Sequence, residues 1–113
     1  MNMKLVKYML IAILVLGTGE VAAQVQVVSG KVTEMLGNQI EPIVGANVNI
    51  VNAQNRSVGG AVTNLDGDYR LQIPAQENNL TLVYSYIGMK TKRIKYTGQK
   101  VLNIKLESNV ETL

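Results

Sequence analysis

Cysteine and histidine are both absent from this chain, and tyrosine is its only aromatic residue. Without cysteine there is neither a disulfide framework nor a thiolate metal site. Without histidine the usual general base and the commonest transition-metal ligand are gone, so no Ser, Thr or Lys has an imidazole partner to activate it. The few acidic residues fall at turns and strand ends, too scattered to read as a carboxylate pair for glycoside chemistry. The chain therefore reads as a non-enzyme, with no catalytic, cofactor-binding or metal-binding residue assigned and no cofactor expected. Five tyrosines without Phe or Trp are also too few for a base-stacking nucleic-acid module. A length of 113 residues allows one small domain with appendages, and a net charge of +3 points to no acidic partner.

Residues 1–23 read as an export signal. Lys4 and Lys7 make a positive start, Tyr8 to Gly17 an apolar stretch, and Val21 and Ala23 stand at the −3 and −1 positions of a cleavage site. A transmembrane anchor needs about 20 apolar residues, whereas only twelve uncharged residues separate Lys7 from Glu20. No cysteine follows the signal, which excludes lipid attachment at that position. The mature chain begins at Gln24, has 90 residues with nine basic and seven acidic groups, and contains no transmembrane segment.

The mature chain is organised around Ala61 to Pro74. Val62 opens an extended run, Asn64-Leu65-Asp66-Gly67-Asp68 interrupts it, and Tyr69, Leu71 and Ile73 then alternate with Arg70 and Gln72. Asp66-Gly67 is a strong hairpin signal, because Gly67 accepts a positive φ without steric cost. Further strands are expected at Gln24 to Thr33, Gly45 to Asn52, Leu80 to Ile87, Lys90 to Tyr96 and Val101 to Glu107. Glu34 to Gln39 reads as a turn with Gly37-Asn38 at its tip, Pro42 is unsuited to a central strand, and Gly59-Gly60 marks a bulge or close backbone approach. About seven short strands with frequent turns and no helical spacing describe a small all-β sandwich. Its expected core is Val32, Val48, Ile50, Tyr69, Leu71, Leu82, Ile94, Leu102, Ile104 and Leu106.

Asn64, Asp66 and Asp68 invite a calcium reading. With Gly67 aligned to the glycine of an EF-hand loop, however, Val62 and Ile73 fall at ligand positions one and twelve, and the turn reads as structural. Lys90, Lys92, Arg93, Lys95, Lys100 and Lys105 make the second half basic, which reads as a solvated edge strand guarded by charge rather than a nucleic-acid or lipid surface. Tyr84 and Tyr86 are a candidate sugar-stacking pair, weighed against packing in the core or between modules.

Four segments, VSGKVT at 28–33, IEPIVGANV at 40–48, TNLDGDYRLQIP at 63–74 and LVYSYIGMKTKRI at 82–94, carry a resemblance in their order. Together they resemble the carboxypeptidase regulatory-like (CarboxypepD_reg-like) domain at the N-terminus of SusC/RagA-like TonB-dependent outer-membrane transporters. The resemblance covers nearly all of Val28 to Glu107. It implies a seven-stranded transthyretin-like (prealbumin-like, Ig-like) β-sandwich, exported to the periplasmic face of the outer membrane of a Gram-negative bacterium. It also implies a non-catalytic, accessory role in glycan or peptide uptake, with a plug and barrel, a surface lipoprotein and TonB as partners.

The expected division is a signal peptide at 1–23, the sandwich at 24–107, and at 108–113 a linker or the start of a plug and barrel region. The sequence stops at Ser108 to Leu113, about where such transporters continue. The chain then reads as the N-terminal fragment of a transporter or, alternatively, as a stand-alone exported binding module, carbohydrate being one candidate ligand. The signal reading makes a direct prediction: intact-mass analysis of exported protein should show a chain starting at Gln24, and recovery of full-length chain in membranes would refute it.

Overall fold

A computed structural model describes residues 25–109. The export signal at 1–23, the cleavage point before Gln24 and residues 110–113 of the expected linker lie outside the described residues. Among those described there are eight strands and no helix: β1 (Gln26–Leu36), β2 (Gln39–Pro42), β3 (Asn47–Val51), β4 (Ser57–Val62), β5 (Asp68–Ile73), β6 (Thr81–Ser85), β7 (Lys92–Lys95) and β8 (Ile104–Lys105). Period-2 alternation drives each of the longer ones. Tyr69, Leu71 and Ile73 of β5 are buried while Asp68, Arg70 and Gln72 face water, and Val48 and Ile50 of β3 meet Leu82 and Tyr84 of β6 inside.

The strands form two sheets packed face to face. One is antiparallel with the order β4-β3-β6-β7; the other is built on β1, which pairs with β2, β5 and β8. β6 is central, as its apolar run implies, and β7 with its Lys and Arg residues is an edge. All of the expected core is inside, with Ile94 and Leu102 half-buried against it. Val28, Ile43, Ala46, Ile73, Leu80 and Tyr84 complete it. Gly59 marks a register shift, since Ile50 pairs with Gly59 while Val51 pairs with Ser57.

Three expectations need correction. The strand count is eight rather than seven, because β1 runs on to Leu36 and returns through Gly37 (φ 63°) as the short β2. Pro42 is tolerated there at the end of a peripheral strand. The expected hairpin around Asp66-Gly67 is a corner between sheets: β4 pairs with β3, whereas β5 pairs with β1. Finally, Val101 to Glu107 is not one continuous strand, for only Ile104 and Lys105 form a regular ladder, parallel to β1.

The backbone of β1 alternates between two neighbours. On one flank Val32 donates its N–H to the Gly67 carbonyl (2.8 Å) and accepts from the Ile43 N–H (2.9 Å), so β5, the Gly67 turn and β2 lie end to end. On the other flank Ser29 donates to Lys100 (3.0 Å) and accepts from Leu102 (2.9 Å), and Thr33 accepts from Leu106 (2.8 Å). Between these contacts the last segment leaves the ladder: the Asn103 side chain, not a backbone carbonyl, accepts the Lys31 N–H (3.0 Å). The Leu102 carbonyl dips toward Gly30, where a Cβ would stand 1.8 Å from its oxygen. Past Glu107 the chain does not depart at Ser108 as expected. The Lys90 N–H donates to the Glu107 carbonyl (2.7 Å) and the Asn109 N–H to Gly88 (3.0 Å), which ties the segment across the β6–β7 turn.

The glycines at these two crossings should not be replaceable. Gly30→Ala places a methyl on a backbone carbonyl and should cost about 3 kcal/mol or more. Gly67 (φ 78°) has Val32 O at 2.8 Å and Pro42 Cβ at 2.9 Å from its missing Cβ, so Gly67→Val should cost more than about 1 kcal/mol. Asp68→Asn, which touches only an exposed ion pair, should cost less than about 1 kcal/mol. Urea denaturation of the three variants checks the ranking.

Candidate interaction surface

The acidic turn proposed and discounted as a calcium loop is held by Asn64. Its side-chain oxygen accepts the N–H groups of Asp66 (3.0 Å) and Asp68 (2.9 Å), and its backbone exchanges bonds with Gly67 and Asp68. A cation already sits against the turn: Lys31 Nζ meets the Asp68 carboxylate at 3.0 Å and donates to the Asp66 carbonyl at 2.6 Å. Among the described residues no three acidic side chains converge on a point that would hold a metal ion. Thr63, which sequence reasoning passed over, is buried beside this corner. Its hydroxyl donates to Ile43 (2.6 Å) and accepts from the Ala46 N–H (2.8 Å), clamping the loop before β3.

The basic residues do not converge on a single patch. Arg93 donates to the Asn55 side chain (3.0 Å) and Lys92 reaches the Lys105 carbonyl (3.4 Å), while Lys100 lies at the far end beside the start of β1. The tyrosine pair also divides. Tyr86 is half-buried, but Tyr84 is fully inside and packs edge-on against Tyr69, ring centres 5.5 Å apart. Tyr69 spends its one proton on the Leu102 carbonyl (2.7 Å), so the Tyr84 hydroxyl donates to Tyr69 (2.7 Å). Burial raises both phenols above their ordinary range. At Tyr69 the bond from Tyr84 partly opposes this; at Tyr84 the bond and the charge of Tyr69 add to it.

Two of the accessible clefts lie at the ends of the sandwich. At the end where β1 begins, a cleft of about 530 Å³ is lined by Gln26, Pro74, Glu77, Asn78, Asn79 and Tyr96, and Tyr96 donates to Gln26 across it (2.6 Å). The opposite end is apolar. A cleft of about 480 Å³ lies between Met35 and Leu36 of β1, Tyr86 to Met89 of the β6–β7 turn, and Lys105 to Ser108. Ile87 is 87% exposed there, Leu36 56% and Met35 44%, and Ile40, paired with Met35, is 62% exposed. Glu34, Lys105, Glu107 and Ser108 supply a mixed polar rim. No sequence signal marks this surface, because its members come from segments far apart in the chain. The arrangement offers apolar contact area within a rim of mixed charge.

Comparison with known proteins gives the following. A family model described as the CarboxypepD_reg-like domain matches residues 28–113. TonB-dependent receptor P39 of Formosa agariphila is 35% identical over 80 residues, which is 70% of this chain and 7% of that receptor. The chain thus spans only a small fraction of the length of the curated relative it matches. Similar solved structures include a type II cohesin–X–dockerin complex from Acetivibrio cellulolyticus (TM-score 0.54, 19% identity, 74% of this chain and 58% of that one). The plantain pollen allergen Pla l 1 follows (TM-score 0.51, 13% identity, 80% and 98%), then the minor pilin GBS52 of Streptococcus agalactiae (TM-score 0.50, 11% identity, 79% and 46%). At these identities the likeness shows the fold, an all-β sandwich. Among the described residues no helix is long and apolar enough to cross a membrane.

The tyrosine chain predicts an alkaline limit. Both phenols are raised in the folded protein, so their contribution is complete below the ordinary tyrosine pKa of about 10 and is lost as pH rises above it. Absorbance titration should show the phenolates of Tyr69 and Tyr84 appearing only with unfolding. Tyr69→Phe strands both the Leu102 carbonyl and the Tyr84 hydroxyl and should cost about 1–3 kcal/mol, whereas Tyr84→Phe, which leaves Tyr69 its acceptor, should cost less. Equal, small effects would mean that the chain of hydroxyls does not hold the sheets.

Proposed function

The chain belongs to the CarboxypepD_reg-like domain family, and from that premise we propose that it is the non-catalytic N-terminal accessory domain of a TonB-dependent outer-membrane receptor. The observation that carries this reading is the 35% identity to a TonB-dependent receptor of which the matched segment is 7%: a similar segment stands as a small part of a much larger receptor. The absence of histidine and cysteine and the lack of a convergent reactive cluster among the described residues support a role in contact rather than in chemistry.

In this reading residues 1–23 are a cleaved leader, the sandwich begins at Gln24, and 108–113 lead toward a plug and barrel. The receptor is of the SusC/RagA-like class and imports glycans or peptides with a surface lipoprotein and TonB. The domain lies on the periplasmic face of the outer membrane. The alternative is a stand-alone exported binding module, with carbohydrate one candidate ligand; the sugar version finds less support, because burial of Tyr84 removes the Tyr84–Tyr86 stacking pair.

Fractionation of the source cells with an antibody against residues 24–107 tests the proposal. A band many times larger than the domain, in the outer membrane and shifted in mobility by heating as barrels are, is the expected result. A soluble product of about the size of the mature chain would overturn it.

A further inference from the structure

We infer that the apolar end of the sandwich is a docking seat for the polypeptide that follows Asn109, so that the domain is a fixed appendage and not a freely swinging one. The inference rests on the receptor reading above and adds the partner and the surface. Met35, Leu36 and Ile87 are large apolar side chains left in water at one end, within a polar rim, the pattern of an interaction site rather than of scattered surface residues.

The same end is where the chain leaves. The bonds from Lys90 to Glu107 and from Asn109 to Gly88 hold the last described residues against the β6–β7 turn, so Asn109 is tied to the residue that follows Ile87. A tether this short confers an effective concentration on the order of millimolar, enough to populate a contact far too weak to form between separate molecules.

The seat also has a backbone component. By strand alternation Met35 turns its N–H and C=O to the flank that Leu106 occupies beside Thr33, a flank the last segment abandons at Glu107. An extended segment bearing apolar side chains fits both features, adding a strand along Glu34 to Leu36 and covering Ile87. The rim mixes Glu34 and Glu107 with Lys105, so neither an acidic nor a basic partner is selected.

The test uses the full native polypeptide in outer membranes, with photo-reactive benzoylphenylalanine at Ile87 or, as a control at the opposite end, at Thr97. Irradiation, digestion and mass spectrometry should give links from position 87 to peptides beyond Asn109 of the same polypeptide, and few from position 97. In the same membranes Ile87→Asp with Leu36→Asp should raise protease cleavage just after Asn109 by about tenfold, with the melting temperature of the domain unchanged. Equal labelling from both positions, links from position 87 to other proteins alone, or unchanged cleavage would overturn the docking and leave the receptor reading standing. A native polypeptide that ends at Leu113 would overturn the receptor reading, and the docking with it.

Discussion

The carbonyl of Leu102 is the point on which the sandwich closes. It lies where a side chain at residue 30 would be, and only glycine leaves that space. From there it accepts the Tyr69 hydroxyl of one sheet, which in turn accepts the Tyr84 hydroxyl of the other. A two-sheet protein held by apolar contact alone has little to fix the relative position of its layers; a buried, fully satisfied chain of hydrogen bonds supplies that register. The arrangement also explains the broken ladder beside β1. If Leu102 stayed in line, its carbonyl would not reach Tyr69, so the chain bulges and Asn103 substitutes a side-chain oxygen for the missing backbone partner.

Much of this was legible in the sequence, and the misses share a cause. Tyr69, Leu71 and Ile73 alternate so cleanly that their burial follows from spacing, and Gly67 announces its positive φ. What Asp66-Gly67 cannot announce is which sheet receives the next strand. A turn signal is local, whereas pairing β5 with β1 instead of β4 is decided by Val32 and by the Thr63 clamp at the far side of the corner. β2 escaped notice because Ile40 and Pro42 are exposed and carry no alternation. Leu102, Ile104 and Leu106 do face inward as their spacing implies, yet inward-facing residues need not form a ladder.

The interaction surface was the least legible part. Met35 and Leu36 lie beyond the expected strand end at Thr33, and Ile87 lies past the observed end of β6 at Ser85. Only the folded arrangement shows them sharing an end. Tyr84, for which packing in the core outweighs sugar stacking on sequence grounds, has its ring in the core. Family resemblance carried the fold further than spacing did, but it too is silent on which surface is used.

The distribution of charge gives that surface its meaning. β7 is an edge whose backbone is open to pairing, and it carries Lys92, Arg93 and Lys95, the usual defence against edge-to-edge association. The hairpin of β1 and β2 has no such guard at its tip: Gly37 and Asn38 form the turn, with Leu36, Met35 and Ile40 exposed behind it. A chain that places cations where pairing must be prevented, and leaves apolar side chains bare where its own continuation emerges, distinguishes an edge to be kept free from an end to be covered. In the docking inferred above, covering that end removes apolar surface from water at a small entropic cost, because the bonds at Glu107 and Asn109 hold the last described residues beside it.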